Sequence, residues 1–546
     1  MASTLETLVA TACKIRDDSC AKVQPPLPEL PDPLPLNVRG IADQVLTPAE
    51  IAITTTEPLD LIEKLAKGEY TAVEVTKAYL RRAALAQKLL NCLTELLWDQ
   101  AIERAEALDK IFAETGKPIG PFHGLPISAK EHISIKGLRC NAAFVAWVND
   151  VAEEDAHIVE TMQNMGGIIF CRSTQPQTIM HIESDTVIYG TTYNSYNTNL
   201  TAGGSTGGEG ALLGFNATPL GLGTDIGGSI RVPAAFNGRY GLRPTAQRVP
   251  FRGLKMPMAG ADSIFGTIGP LSQSRRMLAY FMKHVIGSEP WHSENGLLPV
   301  PWRENVLKPG KLKIAVLWSD EVVKPAPPIY RAMNIVVEAL KKGVPGYDIE
   351  LVPWKAMRQD YAWDLTSALY FTDGGEEEVE TMASVGEEIL PLTKWIMTEN
   401  PAVKKHDIHS LWKLHCERDA YRGEYNKYWQ SSGAEDGHPV DAILCPVAIG
   451  PACLHGTARY WAYTAQWNLI DSPGVVFPVT SVDVELDKKE EGYTPVNEQD
   501  KFFYDLYEPE KYRDAPINLQ LVGRRFYDDK LLEILKVVEN ALGRDS

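Results

Sequence analysis

The sequence lacks the runs and clusters that mark membrane, secreted and nucleic-acid-binding proteins. No apolar stretch approaches the ~18 residues that a membrane-spanning helix requires. Residues 1–20 mix Asp, Glu and Lys and contain no apolar core of a signal peptide. The formal net charge is −17, which argues against a nucleic-acid surface and against a patch for an anionic membrane. We therefore expect a cytoplasmic protein with no nucleic-acid partner and no membrane partner.

The chain also lacks the cysteine and histidine spacings of disulfide frameworks and metal sites. Eight cysteines are scattered over 546 residues without a CxxC pair, which fits a reduced cytosolic protein. His123 and His132 flank Lys130, but there is no HExxH motif and no zinc-type Cys/His spacing. We expect neither a metal nor a cofactor. The cysteines are Cys13, Cys20, Cys92, Cys140, Cys171, Cys416, Cys445 and Cys453.

Helical and strand-like segments alternate along the chain, and this pattern predicts an α/β fold. Thr71 and Glu74 have the spacing of a capping box, so a helix is expected to begin there. Short apolar runs indicate strands, and amphipathic segments between them indicate helices. Strands are predicted at 166–171, 311–318, 348–352, 441–445, 474–479 and 517–522, and helices at 102–112, 155–165, 328–342 and 528–542.

Composition suggests an arm followed by one large domain. Six prolines within residues 24–36 favour an extended, polyproline-like segment, so residues 1–50 are predicted to be a proline-rich N-terminal arm. Residues 51–546 are predicted to form one large domain, and a helical N-terminal region is expected to precede it. The charged stretch at about 482–515 is predicted to be a surface insertion.

Two glycine-flanked hydroxyl clusters lie within residues 202–245. The first is Gly-Gly-Ser-Thr-Gly-Gly at 203–208, and the second is Gly-Thr-Asp-Ile-Gly-Gly-Ser-Ile-Arg at 223–231. Glycine lets another group approach the backbone closely and permits a positive φ. Ser205 and Ser229, one in each cluster, are therefore candidates to meet a substrate together with exposed N–H groups.

The first cluster also matches G-x-S-x-G, the nucleophile elbow of another hydrolase class, with Ser205 as nucleophile. That motif follows an apolar strand directly, whereas residues 191–202 are polar and rich in turn formers. It also needs a late histidine, and nothing distinguishes His438 or His455 for that role. A phosphate-binding loop is disfavoured because the glycines are not followed by Lys-Ser or Lys-Thr.

A serine–lysine mechanism fits the two clusters better. A serine such as Ser229 needs a base to take its proton. Lys130 ends an apolar run, and burial there would lower its pKa enough for a neutral amine. Ser205 would carry the proton between them. The consecutive N–H groups of residues 226–229 would hold the oxyanion, unobstructed because Gly227 and Gly228 have no side chain.

These residues resemble those of the amidase signature family, and within it the fungal acetamidase branch. The block from 203 to 245 matches almost throughout, His123–Lys130 matches the lysine motif, and Gly269-Pro270 and 441–446 also fit. The resemblance extends from about residue 51 to the C-terminus. It implies the large mixed sheet of that family, with helices on both faces.

The family resemblance also implies a role for each matching residue. Ser229 would be acylated, Ser205 would be a cis-serine that relays protons, and Lys130 would be the base. Other positions would bind substrate or support the loop: Ile226, Gly227 and Gly228 at the oxyanion, Ile179 against the substrate, and Asp225 and Arg231 as a charge pair. Two residues depart from the usual pattern: Glu131 replaces Asp and Thr206 replaces Ser. We expect these two departures to shift the pKa of Lys130 or to change the packing of the relay.

The expected activity is hydrolysis of a monocarboxylic acid amide to the carboxylate and ammonia or an amine. Amides or lactams from plants or secondary metabolism are alternative substrates. A subunit of a glutamine-dependent amidotransferase and a non-catalytic binding protein on the same fold are alternative functions. The expected partner is a small amide, and the resemblance suggests a homodimer.

Overall fold

Helices and strands alternate along most of the chain. The computed structural model describes residues 4–544, so residues 1–3 of the predicted arm and 545–546 of the predicted domain lie outside the described residues. The strands are β1 (Leu93–Leu96), β2 (Pro126–Lys130), β3 (Ile168–Ser173), β4 (Asp185–Thr186), β5 (Gly190–Thr191), β6 (Leu220–Asp225), β7 (Tyr240–Arg243), β8 (Thr267–Ser272), β9 (Gly310–Val316), β10 (Tyr347–Pro353), β11 (Ala442–Pro446), β12 (Gly474–Ser481) and β13 (Pro516–Val522). The helices are α1 (Thr4–Ala21), α2 (Ala42–Val45), α3 (Pro48–Thr55), α4 (Pro58–Ala66), α5 (Ala72–Leu90), α6 (Trp98–Thr115), α7 (His157–Asn164), α8 (Gly207–Gly214), α9 (Arg231–Phe236), α10 (Arg275–Gly287), α11 (Pro327–Lys341), α12 (Gln359–Tyr370), α13 (Glu376–Ala383), α14 (Pro391–Thr393), α15 (Ile408–Ser431), α16 (Ala462–Leu469), α17 (Glu498–Leu506) and α18 (Asp528–Ala541).

One mixed sheet forms the centre of the fold. Within residues 4–544 it has eleven strands in the order β1-β3-β2-β6-β8-β7-β12-β13-β11-β9-β10, while β4 and β5 pair as a separate short hairpin. β2 is parallel to both β3 and β6, whereas β6 is antiparallel to β8. Every residue of β2, β3 and β6 is buried, as expected where helices cover both faces of a sheet. The predicted α/β class is therefore confirmed.

The clearest sequence signals correspond to observed elements. The Thr71 hydroxyl accepts from the Glu74 N–H at 3.1 Å, and the Glu74 carboxylate accepts from the Thr71 N–H at 2.9 Å, so α5 begins with the predicted capping box. The predicted strands at 311–318, 348–352, 441–445, 474–479 and 517–522 correspond to β9 to β13, with ends shifted by a few residues at most. The predicted helices at 328–342 and 528–542 are α11 and α18.

The N-terminal part of the chain is helical, as predicted, with α1 to α5 preceding β1. The 18-residue helix α1 occupies much of the segment predicted as an arm, and residues 24–36 that follow it contain no helix or strand. In the charged stretch at 482–515, α17 is present and two aspartates, Asp487 and Asp500, are buried. The division into arm, domain and insertion stays a prediction. No helix within residues 4–544 has the length and apolar character needed to cross a bilayer.

The parallel pairing of β2 and β6 brings two sequence-distant segments to one edge of the sheet. Ala129 pairs in register with Leu222, so β2 and β6 end side by side. Lys130 is the last residue of β2, and Asp225 is the last residue of β6. Ligand sites in α/β folds form at the carboxyl ends of such strands. The fold therefore places the lysine motif and the second glycine cluster together.

A buried ion pair fixes the loop after β7 to the start of α18. Arg248 Nη1 lies 2.7 Å from Asp528 Oδ2, and both side chains are fully buried. Arg248→Met would leave the Asp528 carboxylate buried without its charge partner, which typically costs about 3–5 kcal/mol. We expect urea unfolding to show this loss. Lys341→Met, which breaks the exposed pair with Glu338, should hardly change stability. Equal losses in the two variants would contradict the prediction.

Candidate active site

Lys130 is the last residue of β2, and its side chain is fully buried. Its Nζ lies 2.6 Å from Ser205 Oγ and 3.0 Å from Thr224 Oγ1. Both partners are hydroxyls, so no carboxylate bonds directly to the amine. The three side chains come from β2, from the loop before α8 and from β6. The sheet thus joins residues that are up to 94 positions apart in sequence.

The surroundings of Lys130 favour a neutral amine. Burial lowers the pKa of Lys130 well below its ordinary value of 10.5, while the charges of Asp225 and Glu209 act in the opposite direction. Burial also raises the pKa of Glu209 to about 7, because its hydrogen bonds from Ser128 and Ser173 only partly offset desolvation. The nearby carboxyl is thus partly neutral near pH 7 and does little to hold Lys130 as an ammonium.

Ser205 lies in a tight loop between residues 201 and 206. The peptide bond between Gly204 and Ser205 is cis, as the family resemblance implied. A Cβ on Gly204 would approach the His181 carbonyl oxygen to 2.5 Å, so the loop passes too close to its neighbour for any side chain there. Thr206 anchors the loop on both sides: its N–H donates to the Ser229 carbonyl at 3.1 Å, and its hydroxyl donates to the Thr224 carbonyl at 3.3 Å.

Ser229 lies in the loop between β6 and α9, at the wall of a cavity that Ser205 also lines. Within residues 4–544 the Ser229 hydroxyl has no hydrogen-bond partner, so it does not bond to Ser205. The loop before it is closely covered. A Cβ on Gly227 would collide with the Tyr370 hydroxyl, and one on Gly228 would collide with the Thr464 hydroxyl. Glycine is therefore required at both positions for the backbone to take this path.

The predicted oxyanion donors are not equivalent. The Gly228 N–H donates to Asp225 Oδ1 at 2.8 Å and is already engaged. The N–H groups of Ile226, Gly227 and Ser229 have no acceptor in the part of the chain that the structure describes. The Gly227 carbonyl accepts from Thr464 Oγ1 at 2.7 Å, which fixes the orientation of the neighbouring peptide. Three of the four predicted donors are thus free to bind an oxyanion.

Asp225 and Arg231 form a fully buried ion pair beneath this loop. Arg231 Nε and Nη2 donate to the two Asp225 oxygens at 3.0 Å each, and Asn468 donates to the same carboxylate at 2.9 Å. Burial alone would raise the pKa of Asp225, but the Arg231 charge and these hydrogen bonds lower it to about 2. The carboxylate therefore remains ionised and holds the loop through the Gly228 and Ile230 N–H groups.

Two polar residues of this site were missed at the sequence level. Thr224 accepts from Lys130, and His132 Nε2 lies 3.0 Å from the same Thr224 hydroxyl. His132 Nδ1 lies 3.1 Å from the Lys255 carbonyl oxygen. From the sequence, His132 was a candidate only for metal binding, and its spacing did not support that role. The available signal was its position two residues after Lys130, in the turn that directly follows β2.

The two departures from the family pattern have different surroundings. Glu131 points away from the Lys130 amine: its carboxylate accepts from the Asn141 and Ala142 N–H groups at 2.6 and 3.0 Å and from Gln175 at 2.9 Å. It thus fixes the loop near residue 141, and it is not among the groups that shift the pKa of Lys130. Thr206, in contrast, directly joins the Ser205 loop to Ser229, so it belongs to the packing of the site.

The cavity beside Ser229 has a volume of about 120 Å³. Ile179 lines it, at the position where the resemblance placed a substrate contact, and so do Thr224 and His132. Its other walls are mostly apolar and include Met180, Ile226, Phe251, Met256, Met258, Ile264 and Leu369. A larger cavity of about 610 Å³ lies near α17 and contains none of the predicted catalytic residues. The candidate active site is therefore identified by the residues that line the cavity and not by the cavity volume.

The histidines considered for an elbow mechanism lie elsewhere. His438 bonds to Asp441 at 2.9 Å, and His455 bonds to Glu183 at 3.0 Å and to the Thr198 carbonyl at 3.1 Å. Neither lines the cavity that contains Ser205. The geometry therefore gives Ser205 a lysine as its basic neighbour and no histidine from either candidate.

Comparisons with known proteins agree with this chemistry. The family model named Amidase matches residues 74–532. A Schizosaccharomyces pombe chain described as an amidase is 46% identical over 538 residues, which cover 98% of this chain and 99% of that one. An Emericella nidulans acetamidase is 38% identical over 506 residues, with 91% of each chain covered. The solved structure of a fatty acid amide hydrolase matches with a TM-score of 0.92 at 32% identity, covering 98% of this chain and 95% of that one. The chain therefore belongs to the amidase signature family and is an enzyme that hydrolyses amides.

Proposed function

We propose that the chain hydrolyses a small carboxylic acid amide through an acyl-enzyme on Ser229, with Ser205 as proton relay and Lys130 as base. One observation carries the proposal: a fully buried lysine amine bonds at 2.6 Å to a serine that shares a cavity with a second serine. A buried neutral amine is a base, whereas a solvated ammonium is not.

In the first half of the reaction, Ser229 Oγ attacks the amide carbonyl carbon. Its proton passes to Ser205 Oγ, and the Ser205 proton passes to the Lys130 amine, which becomes an ammonium. When the C–N bond breaks, the same path returns a proton to the leaving nitrogen, and ammonia or an amine departs. Because the Ser229 hydroxyl makes no hydrogen bond to Ser205 within residues 4–544, the first proton transfer requires the two hydroxyls to move closer together.

The negative charge of the tetrahedral intermediate needs donors that are already oriented. The N–H groups of Ile226, Gly227 and Ser229 meet this requirement, since they have no acceptor in residues 4–544. The Asp225–Arg231 pair holds the loop through Gly228 and Ile230 and so limits its reorganisation during the reaction.

In the second half of the reaction, water replaces the amine. Its proton passes through Ser205 to Lys130 as its oxygen attacks the acyl carbon. The ester C–O bond then breaks, the proton returns to Ser229, and the carboxylic acid is released as its carboxylate. Both halves thus use the same three side chains.

The cavity supports a small, apolar acyl group. A volume of about 120 Å³ is well below the ~300–1,000 Å³ typical of ligand pockets, and most of the wall is apolar. The size of this space therefore favours an acyl group of a few carbons. The acetamidase of Emericella nidulans, which covers 91% of this chain, is named for a substrate of that size.

Ser229→Ala should abolish turnover of acetamide while leaving the fold intact, because it removes the attacking oxygen. Thr206→Ser, which retains a hydroxyl in the neighbouring loop, is the matched control and should remain active. Ammonia release and circular dichroism measure the two properties. A fluorophosphonate should label Ser229 in the parent chain, as read by peptide mass spectrometry. Labelling at Ser205 instead would favour the elbow mechanism and contradict the proposal.

The pH profile should report the Lys130 amine. We expect kcat/KM to rise with pH as Lys130 loses its proton, with an inflection well below 10.5 because burial lowers the pKa of this side chain. Lys130→Met should reduce kcat by about 10²–10⁴-fold, the contribution of a positioned base. A retained acidic limb in the residual activity of Lys130→Met would assign the inflection to another group.

The same pKa shift predicts a pH dependence of stability. Between the lowered folded-state pKa of Lys130 and the ordinary value of 10.5, the unfolded chain binds a proton at this lysine and the folded chain does not. Stability should therefore rise with pH across that window. Lys130→Met should remove this contribution, which urea unfolding of the two proteins at several pH values would measure. Parallel pH curves for the parent and the variant would contradict a neutral buried amine.

Met256 lines the cavity and is only half-buried, so it is a suitable place to enlarge the acyl site. Met256→Ala should raise kcat/KM for hexanamide relative to acetamide by on the order of 10-fold, because added apolar contacts change discrimination by this amount. Met165→Ala, a half-buried methionine outside the cavity lining, should leave the ratio unchanged. An unchanged ratio in Met256→Ala would mean that the acyl group lies elsewhere.

A further inference from the structure

His132 is buried next to the catalytic lysine and has fixed partners on both ring nitrogens. Nδ1 lies 3.1 Å from the Lys255 carbonyl oxygen, and Nε2 lies 3.0 Å from Thr224 Oγ1. The Thr224 hydroxyl is also 3.0 Å from Lys130 Nζ. A chain of hydrogen bonds therefore runs from Ser205 through Lys130 and Thr224 to His132.

The partners of His132 determine its tautomer. A carbonyl oxygen only accepts hydrogen bonds, so Nδ1 must carry a proton and donate to Lys255. Burial lowers the pKa of His132 well below its ordinary value of 6.5, so the ring is neutral. Nε2 is then unprotonated and acts as an acceptor. The donor in the second contact must therefore be the Thr224 hydroxyl.

This donation determines the direction of the next hydrogen bond. A threonine hydroxyl has one proton, and here it is used on His132. Thr224 therefore presents only lone pairs to Lys130, and Lys130 must donate an N–H to it. A neutral amine has two N–H groups and one lone pair. With one N–H directed to Thr224, the lone pair remains available to Ser205, the second hydrogen-bond partner of Lys130.

We infer that His132 is a positioning residue that keeps the Lys130 lone pair available to Ser205. Because His132 Nε2 accepts the hydrogen bond of the Thr224 hydroxyl, the Thr224 proton points to His132 and not to Lys130. This inference rests on the proposed serine–lysine mechanism. Without an acceptor at the Nε2 position, the Thr224 hydroxyl is free to donate to Lys130. The lone pair is then occupied, and Lys130 no longer accepts the Ser205 proton.

The charged groups around Lys130 do not perform this function. The carboxylate of Asp225 is bound by Arg231 and Asn468, and that of Glu209 is bound by Ser128 and Ser173. Neither accepts the Thr224 hydroxyl proton. They act on Lys130 only through their charge, which raises its pKa against the larger effect of burial. Among the contacts that the structure describes, His132 alone determines the direction of the Thr224 hydroxyl.

The test uses variants of the full-length chain with acetamide as substrate. His132→Phe keeps a ring of similar size but has no acceptor, and it should lower kcat by about 10–100-fold, part of what a positioned base contributes, with little change in KM. His132→Gln places an amide oxygen near the Nε2 position and should retain activity within a few-fold of the parent. A merely structural role for the ring would not predict this rescue, since glutamine replaces no ring packing.

A double variant distinguishes this mechanism from a general loss of packing. Thr224→Val removes the hydroxyl that would occupy the Lys130 lone pair. If His132 acts through Thr224, adding His132→Phe to Thr224→Val should cause no further loss of kcat. The double variant should therefore be at least as active as His132→Phe alone. Losses that multiply in the double variant, or a parent-like kcat in His132→Phe, would overturn the inference.

Two further measurements are needed: one for the case in which His132→Phe does not fold, and one that tests the proposed mechanism separately. If His132→Phe does not fold, as judged by circular dichroism, His132→Asn replaces it, because asparagine reaches the Nδ1 position only. His132→Asn should then be impaired where His132→Gln is active, and equal activity would overturn the inference. Fluorophosphonate labelling of Ser229 in the parent tests the proposed mechanism separately. Labelling with no effect of His132 substitution would refute the positioning role alone, whereas absent labelling would refute the mechanism itself.

Discussion

Burial of the Lys130 amine is the constraint on which the rest of the site depends. An ammonium at the end of β2 would lose its hydration, and such a charge costs several kcal/mol unless it is closely paired. The two groups that bond to Lys130 are hydroxyls, so nothing provides that pairing. Burial therefore disfavours the ammonium form and lowers the pKa of Lys130. The site stays functional only if the nearby carboxyl groups are prevented from restoring the ammonium.

The carboxyl groups around Lys130 are controlled in two different ways. Asp225 is ionised, but two Arg231 hydrogen bonds and one from Asn468 saturate its oxygens, which turns its charge into a support for the Ser229 loop. Glu209 has a pKa raised to about 7 by burial, so it carries only part of a charge near neutral pH. Because Asp225 is paired with Arg231 and Glu209 is only partly charged, desolvation has the largest effect on the pKa of Lys130.

The parts of the molecule that have strong local signals could be predicted from the sequence. Apolar runs such as 311–318 and the capping box at Thr71 predict β9 and α5 because hydrophobic periodicity and end caps act within one element. β6 was missed because Leu-Gly-Leu-Gly-Thr-Asp has the glycines of a turn, and it is a strand only because β2 and β8 pair on both sides. The role of Thr224 and the orientation of Glu131 depend on contacts across the sheet or with another loop, which a single sequence does not display.

The glycine–serine block is not sufficient to form the site. Arg231, inside the block, donates to the Thr464 carbonyl and to Asn468, which are 233 and 237 positions away. The Gly227 carbonyl is held by the Thr464 hydroxyl, and the cavity walls come from Met256–Ile264 and from the end of α12. The path of the loop that contains Ser229 therefore depends on contacts from the C-terminal half of the chain. Substitutions in α16, far from Ser229 in sequence, should disturb the N–H groups of residues 226–229 before they disturb Lys130, since Lys130 and its two hydroxyl partners lie in the N-terminal half.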